Sequence, residues 1–233
     1  MPKLKSFDND FFTFSVRNKS LKFSNVKGQK TYIKNRIDRI LSKEPETIKW
    51  IDSFEKDSVF FDVGANIGIY TIYSAVLRDN TVYAFEPHSA SYKNLLDSIN
   101  INNLDKCSAF CVALSDRINL STINVKNMHE GVAENKVGER GDYYHGCTEI
   151  HLDYLVGKGI IPKPDYIKID VDGFEDKVLN GAVATLQQCK SCLVEINDKH
   201  IGMVQKLNDI GMVLVSKHRR NSEEFNYIFR NAN

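Results

Sequence analysis

Residues 59–71 read Val59-Phe60-Phe61-Asp62-Val63-Gly64-Ala65-Asn66-Ile67-Gly68-Ile69-Tyr70-Thr71 and carry the strongest structural signal in the chain. The apolar first half predicts a buried strand, and the apolar spacing after Gly68 predicts a helix that runs to about Leu77. A strand, a glycine turn and a helix make the first half of a nucleotide-binding βαβ unit. Asp62 then falls at the carboxyl end of the strand, where sheets of this class bind ligands.

The spacing of the glycines separates two kinds of cofactor site. A dinucleotide fingerprint has the form Gly-x-Gly-x-x-Gly, but counted from Gly64 its second and third glycines fall on Asn66 and Ile69. The observed pattern, acid-x-Gly-x-Asn-x-Gly, resembles the first motif of the S-adenosylmethionine-dependent methyltransferases. We expect its glycines to make room for the methionine part of that cofactor. The alternative is an ordinary glycine-containing turn between a strand and a helix.

A second acid follows the next short apolar run. Residues 81–85 predict a strand beside the first, and Glu86-Pro87 ends it, because proline cannot donate to a strand ladder. A carboxylate at this point can accept hydrogen bonds from both hydroxyls of a ribose. A nicotinamide enzyme would use an acid at the same separation, so Glu86 indicates a ribose without identifying the cofactor. A solvated strand end is the alternative.

The composition is that of an ordinary globular chain. Its 233 residues are enough for one sizeable α/β domain or two small ones. Of these residues 42% are hydrophobic and 26% are charged, both ordinary for a globular protein. A net charge of +1 gives no basic excess for nucleic acid or an anionic membrane. No apolar run approaches the ~20 residues of a membrane span, and residues 1–10 lack a secretory apolar core. We therefore expect a cytoplasmic enzyme with no membrane span and no nucleic-acid partner.

The five cysteines do not indicate a disulfide framework, because their number is odd and the chain is of medium size. Cys189 and Cys192 have C-x-x-C spacing, but no second pair stands at zinc spacing. We expect both to be buried thiols.

The remaining pattern predicts a doubly wound α/β sheet. We expect residues 1–56 to form a hairpin and helices that pack on the cofactor cleft, and residues 57–233 to form a Rossmann-like core. The predicted elements are a hairpin at 11–16 and 21–23, helices at 33–41, 45–54, 89–102, 174–187 and 200–207, and strands at 109–114, 120–125, 166–170, 192–196, 212–216 and 225–229. Residues 127–146 are polar and glycine-containing, which predicts a substrate-covering loop, with disorder as the alternative.

Several motifs occur together and in order. They are Phe61-Asp62-Val63-Gly64-Ala65-Asn66-Ile67-Gly68, Ala84-Phe85-Glu86-Pro87, Ala113-Leu114-Ser115-Asp116, Ile167-Lys168-Ile169-Asp170-Val171-Asp172-Gly173-Phe174-Glu175, Leu179-Asn180-Gly181-Ala182 and Val194-Glu195-Ile196. Together they resemble the FkbM family of methyltransferases over residues 44–210. The resemblance implies a mostly parallel sheet with an antiparallel carboxyl-terminal strand, and O-methylation of sugar hydroxyls.

The resemblance also assigns cofactor contacts. It implies that Asp62, Gly64, Asn66 and Gly68 line the methionine part, that Glu86 takes the ribose, and that the segment Ala113 to Ser115 faces the adenine. Asp172 stands where the family motif often has glutamate, so its carboxylate reaches one methylene less far.

A hydroxyl is a poor nucleophile until its proton is removed, so methyl transfer needs a base or a metal. His145 and His200 are the histidines nearest in sequence to the acceptor side, and Asp170 and Asp172 are further candidates for the catalytic group.

Two predicted neighbouring strands also end in oxygen ligands. Asp170, Glu195 and Asn197 there predict a Mg²⁺ or Mn²⁺ site. The alternative is that Asp170 hydrogen-bonds the acceptor and Glu195 caps local backbone.

The sequence thus predicts an S-adenosylmethionine-dependent O-methyltransferase. We expect it to act on a sugar or glycoconjugate acceptor, at a hydroxyl of a bacterial surface polysaccharide or its nucleotide-linked precursor. The alternatives are a nicotinamide-dependent oxidoreductase, which the glycine spacing disfavours, and an inactive binding protein of the same fold.

Overall fold

The computed structural model describes residues 3–7, 11–24, 43–124, 136–138 and 143–232. The helix predicted over residues 33–41 lies outside these ranges, as does most of the loop predicted over residues 127–146.

The described strands and helices alternate one by one between residues 45 and 110, and runs of consecutive strands lie on either side of that part. The strands are β1 (Lys3–Phe7), β2 (Phe11–Val16), β3 (Lys19–Ser24), β4 (Val59–Val63), β5 (Thr81–Phe85), β6 (Cys107–Phe110), β7 (Ala113–Leu114), β8 (Asn119–Asn124), β9 (Lys136–Val137), β10 (Tyr144–Ile150), β11 (Tyr166–Ile169), β12 (Ser191–Asn197), β13 (Met212–Arg219) and β14 (Glu224–Asn231). The helices are α1 (Pro45–Asp52), α2 (Ile69–Arg78), α3 (Ser89–Ile101), α4 (Leu152–Gly157), α5 (Glu175–Asn180), α6 (Val183–Leu186) and α7 (Gly202–Asp209).

The central sheet has seven strands in the order β13-β14-β12-β11-β4-β5-β6. Strands β12, β11, β4, β5 and β6 are mutually parallel, while β14 is antiparallel to both of its neighbours. The predicted fold, a mostly parallel doubly wound sheet with an antiparallel carboxyl-terminal strand, is confirmed. Because every parallel strand leads into its next element at the same edge, the loops after β4, β5 and β11 meet there.

Both faces of the sheet are covered, which explains the nearly continuous apolar runs of its central strands. One core cluster joins Trp50, Phe60, Ile72 and Leu95 on the side of α1, α2 and α3. The other joins residues of β11 and β12, such as Ile167, to α4 through α7. The apolar residues Ile48, Trp50 and Ile51 of α1 are buried in the first of these clusters.

The amino-terminal strands β1, β2 and β3 form a separate antiparallel sheet that packs against α2 and α3. Two bonds fix it there: the Ser24 N–H donates to Ser98 Oγ at 3.0 Å, and the Lys22 N–H donates to Asn102 Oδ1 at 3.0 Å. The predicted hairpin is thus present as β2 and β3. It covers the outside of the helices, and the division into two domains stays a prediction.

Two predicted elements are interrupted. The strand predicted over residues 109–114 is split, since β6 ends at Phe110 and β7 joins a second sheet of order β7-β10-β8-β9. The helix predicted over residues 174–187 breaks at Gly181 into α5 and α6. A Cβ at Gly181 would lie 1.9 Å from the Ser115 carbonyl oxygen, so the chain approaches that segment too closely for a longer residue.

Some of the residues that were predicted to form a loop belong to the second sheet. Within residues 127–146, the described segments 136–137 and 144–146 belong to β9 and β10.

The five cysteines all lie in described residues and are free thiols, with Cys189 and Cys192 buried as predicted. None of the helices in the described ranges is both long and apolar enough to cross a bilayer.

Candidate functional site

A cavity of about 660 Å³ opens at the carboxyl ends of β4, β5 and β11. This is the edge at which open α/β sheets bind their ligands, and the volume is that of a small-molecule site. The described residues that line it include Lys43, Glu44, Gly64, Asn66, Tyr70, Glu86, Pro87, Val112, Ala113, Leu114, Lys168, Asp170, Asp172, Glu195, Arg220, Asn221 and Glu224.

The glycine turn after β4 is shaped by close packing of the chain against itself. Gly64 has a φ of +79°, and a Cβ there would lie 1.9 Å from the backbone oxygen of Asp170. Gly68 has a φ of +83°, and a Cβ there would lie 2.5 Å from Leu95 Cδ1. Gly64 lines the cavity and Gly68 does not. Each glycine thus makes room for a neighbouring part of the protein. The expected contact of Gly64 with a cofactor stays a prediction, whereas Gly68 does not border the described cavity.

Asp62 lies behind the cavity wall. Its side chain is fully buried, and Thr71 Oγ1 donates a hydrogen bond of 2.6 Å to Asp62 Oδ2, which anchors the first turn of α2. Lys168 occupies the paired position on β11. Burial raises the pKa of Asp62, and the charge of Lys168 opposes this. Within the described ranges, Oδ1 of Asp62 has no hydrogen-bond partner. Asp62 does not line the described cavity, so its predicted direct contact with the cofactor lacks geometric support.

Glu86 is the buried acceptor of the cavity. The residue is 5% exposed, and its two oxygens accept backbone N–H bonds from Asn66 and His88, each at 2.8 Å. Burial raises the pKa of Glu86 to about 7, and the two backbone bonds oppose the rise. A carboxylate offers about four acceptor sites, so each oxygen can take a further bond. This arrangement suits a pair of adjacent hydroxyls such as those of a ribose.

The wall beyond Glu86 is apolar. Pro87, Val112, Ala113 and Leu114 line it, and such a surface suits a flat heteroaromatic base. Ser115 does not belong to this wall: it is buried, and its hydroxyl donates to Glu149 Oε2 at 2.7 Å. Of the predicted adenine-facing segment, Ala113 therefore lines the described wall and Ser115 does not, and the contact of Ala113 with an adenine stays a prediction.

The opposite part of the cavity holds a cluster of charges. Lys168 is 1% exposed, and its ammonium donates to Asp170 Oδ2 at 2.7 Å. The Arg220 guanidinium donates to Glu44 Oε1 at 2.8 Å, makes a close contact with Glu195, and places an NH1 atom 3.6 Å from Asp170 Oδ1. Burial would raise the pKa of Asp170, but the charges of Lys168 and Arg220 outweigh it and hold that pKa well below its ordinary value. Burial and the charge of Asp170 raise the pKa of Glu195.

Comparison with known proteins identifies the family. The family model described as Methyltransferase FkbM domain matches residues 62–229, well over half of the chain. The chain belongs to the FkbM methyltransferase family. The resemblance that the sequence motifs predicted is confirmed.

Individual relatives match parts of this FkbM chain. Hexuronic acid methyltransferase AglP of Haloferax volcanii is 30% identical over 163 residues, which cover 68% of this chain and 64% of that protein. The chain thus spans a little under two thirds of the length of this relative.

Solved structures agree with the fold. Methyltransferase FkbM from Methylobacillus flagellatus KT superposes with a TM-score of 0.54 at 15% identity, over 76% of this chain and 44% of that one. The fibrillarin pre-rRNA processing protein of Methanococcus jannaschii superposes with a TM-score of 0.52 at 15% identity, over 99% and 97% of the two chains. At such low identity these matches show a common fold alone.

The predicted metal site is not supported. The Arg220 guanidinium lies against both Asp170 and Glu195 and supplies the positive charge that we had assigned to a metal ion. Asn197 points elsewhere, since its Oδ1 accepts a 3.0 Å bond from the Lys199 N–H. The described residues contain no group of three or more His, Cys, Asp or Glu side chains arranged for a metal. These donors do not fit Mg²⁺ or Mn²⁺.

The two predicted histidines lie away from the cavity wall. His145 Nε2 accepts a 3.3 Å bond from the Ser89 N–H, and its ring stacks on His88 at a centroid distance of 6.0 Å. His200 is exposed in a single 3-10 turn, Asp198–His200. Neither borders the described cavity, so the proposal of a histidine base loses its geometric support. Asp170 and Asp172, the other two candidates, do line it.

Sequence reasoning missed Glu44, Lys168 and Arg220. Lys168 carried a usable signal, because a lysine between Ile167 and Ile169 in a buried strand needs a charged partner. Glu44 and Arg220 are 176 residues apart in sequence, and no local pattern connects them.

Proposed function

We propose that this chain is an S-adenosylmethionine-dependent O-methyltransferase. We further propose that it acts on a sugar hydroxyl of a surface polysaccharide or of its nucleotide-linked precursor. The observation that carries the proposal is Glu86, a buried carboxylate at a strand end with acceptor capacity left on both oxygens, beside an apolar wall. Membership of the FkbM family supports methyl transfer, and the name of the Haloferax volcanii relative supports a sugar acceptor.

The described wall residues fit the cofactor. Glu86 would hold the ribose hydroxyls, and Pro87, Val112 and Ala113 would contact the adenine. The turn from Gly64 to Asn66 would border the methionine part. When bound, S-adenosylmethionine supplies an electrophilic methyl group.

Asp170 is the residue best placed to orient the acceptor hydroxyl. It lines the cavity, and the ammonium of Lys168 and the guanidinium of Arg220 keep it ionised. An ionised carboxylate accepts a short, directional hydrogen bond from a hydroxyl group. Holding that oxygen in one direction lowers the barrier to displacement, since reacting atoms must meet in line at ~3–3.5 Å.

The same contacts limit how strongly Asp170 can act as a base. A carboxylate with a lowered pKa has little affinity for a proton before the reaction. We infer that it accepts the hydroxyl proton only as the new oxygen–carbon bond forms and the proton becomes acidic. Lys168 would fix the direction of the carboxylate throughout, because it is bonded to Oδ2 and buried.

The test separates binding from chemistry. Calorimetric titration should show binding of S-adenosylmethionine and none of NADH; the reverse result would favour the oxidoreductase alternative. Mass spectrometry should then detect methyl transfer to sugars extracted from cell surfaces.

Asp170→Asn should keep cofactor binding and lose most of the transfer. The matched control is Asp116→Asn, whose carboxylate pairs with Lys177 outside the cavity wall, and which should behave as the wild type. Full transfer by Asp170→Asn would remove that residue from the mechanism.

A further inference from the structure

The charged side chains that the structure describes on the cavity wall bear on the kind of sugar that can enter. Six acidic and three basic side chains of the described residues line the cavity: Glu44, Glu86, Asp170, Asp172, Glu195 and Glu224, against Lys43, Lys168 and Arg220. Glu86 is the proposed ribose acceptor and the pKa of Glu195 is raised, so the carboxylates left to face the acceptor are Glu44, Asp170, Asp172 and Glu224. They disfavour an anionic sugar, because like charges in a partly buried cleft are poorly screened.

The basic side chains are already committed to the protein's own carboxylates. Lys168 bonds Asp170 at 2.7 Å, Arg220 bonds Glu44 at 2.8 Å, and Lys43 lies 3.7 Å from Glu44. Among the described residues, every basic side chain on the wall thus contacts a carboxylate of the chain. Of the described bases on the wall, each would therefore bind an acceptor carboxylate in competition with a carboxylate of the chain.

Arg220 illustrates the restriction in detail. Its NH1 and NH2 atoms are taken by Glu195 and Glu44, and its Nε has no hydrogen-bond partner within the described ranges. Recognition of a carboxylate by arginine normally uses two parallel N–H bonds. Because Glu195 and Glu44 already occupy both terminal nitrogens, a sugar carboxylate would have to share the guanidinium with two carboxyl groups of the chain.

The hairpin between β13 and β14 adds acceptors to this part of the wall. Asn221 Nδ2 donates to Glu224 Oε2 at 2.5 Å, and both residues line the cavity. The charge of Glu224 contributes to the raised pKa of Glu195, which places the two carboxyls within electrostatic reach. Oxygen atoms of this kind accept hydrogen bonds from sugar hydroxyls and repel a sugar carboxylate.

We propose that the acceptor is an uncharged sugar and that the site discriminates against uronic acids. This inference rests on the proposed function and narrows its substrate class. It predicts that the chain differs in acceptor charge from its Haloferax volcanii relative, which is named a hexuronic acid methyltransferase.

The experiment uses matched pairs of aryl glycosides that differ only at the sixth carbon. Glucoside with glucuronide and galactoside with galacturonide are incubated with the full chain and S-adenosylmethionine, and methylated product is measured by mass spectrometry. The neutral member of at least one pair should be methylated about tenfold faster or more. A faster reaction of the uronide, equal rates, or no reaction with any member would overturn the inference.

Cofactor titration keeps the two proposals apart. If S-adenosylmethionine does not bind, the proposed function fails. If it binds and uronides are methylated preferentially, the proposed function stands and only the acceptor inference fails.

Glu224→Gln provides the structural test, because glutamine keeps the shape and the contact with Asn221 while removing one negative charge. The ratio of neutral to uronide rates should fall by about three- to tenfold. The control is Glu223→Gln on the same hairpin, whose carboxylate is 55% exposed and pairs with Lys199 at 3.1 Å outside the cavity wall. It should leave the ratio unchanged. An unchanged ratio in Glu224→Gln would contradict the role given to the wall charge.

Discussion

Lowering the pH from about 8 to about 6 should weaken S-adenosylmethionine binding to this chain roughly tenfold through one side chain, Glu86. Its carboxylate, when ionised, accepts stronger hydrogen bonds from ribose hydroxyls than the neutral acid does. Burial raises its pKa to about 7. The ionised fraction then falls from about nine-tenths to about one-tenth over that interval, and the apparent affinity follows it.

The same shift has a consequence for stability with the opposite sign. The pKa of Glu86 is about 7 in the folded chain, against an ordinary value of 4.5 for a glutamate side chain. The favourable contribution to folding is therefore fully present below pH ~4.5 and is lost as the pH rises through ~7, at a cost on the order of 3 kcal/mol. Cofactor binding favours the ionised form, so it should release a proton near neutral pH.

Isothermal calorimetry measures both effects. Titrations in buffers of different ionisation enthalpy give the number of protons released, and Glu86→Gln provides a reference that cannot titrate. The ratio of wild-type to variant affinity at each pH cancels the titration of the ligand's own amino group, whose pKa is about 8. A ratio that stays constant between about pH 6 and 8, with no difference in proton release, would refute the placement of the ribose on Glu86.

Three further outcomes are expected. Gly64→Ala should lower the free energy of unfolding by more than about 3 kcal/mol in thermal melts, since its Cβ would lie 1.9 Å from the Asp170 oxygen; Gly211→Ala, with a φ of +91° and open space around it, should cost only about 1–2 kcal/mol. His145→Ala and His200→Ala should each retain methyl transfer within about threefold of wild type, as expected for residues off the cavity wall, and a large loss in either would return the base to that histidine. Methyl transfer should persist in excess chelator because the Arg220 guanidinium already contacts both Asp170 and Glu195, and loss that Mg²⁺ restores would contradict this.

The sequence predicted the parts of the site that follow directly from strand ends. Glu86 and Asp170 come immediately after buried apolar runs, so the parallel sheet brings them to one edge whatever the loops do. The predicted end of the strand at residues 109–114 was wrong, because apolar periodicity does not show where a chain leaves one sheet for another. Its exit at Phe110 depends on pairing with β5, a non-local property.

The charged half of the site could not be predicted in the same way. Arg220 sits in a hairpin with no distinctive pattern, and only the folded sheet brings it to Glu44, 176 residues earlier. When Arg220 is left out, two neighbouring carboxylates indicate a metal site, and that is what the sequence predicted. His145 and His200 do not border the described cavity for a related reason, since closeness in sequence to a loop does not fix the face on which a side chain lies.

The small sheet of β1, β2 and β3 has a consequence for the order in which the molecule is assembled. Its strands precede the helices and the central sheet in sequence, and their hydrogen-bond partners, Ser98 in α3 and Asn102 just after it, lie 74 and 80 residues further along the chain. Contacts of such separation close late, because the intervening loop must lose its entropy before they are gained. The sheet packs against α2, which follows the Gly64 turn, and against α3, which follows Glu86. We therefore expect docking of the earliest strands and completion of the cofactor pocket to occur as a single late step of folding, so that a nascent chain cannot bind cofactor before its central strands have emerged.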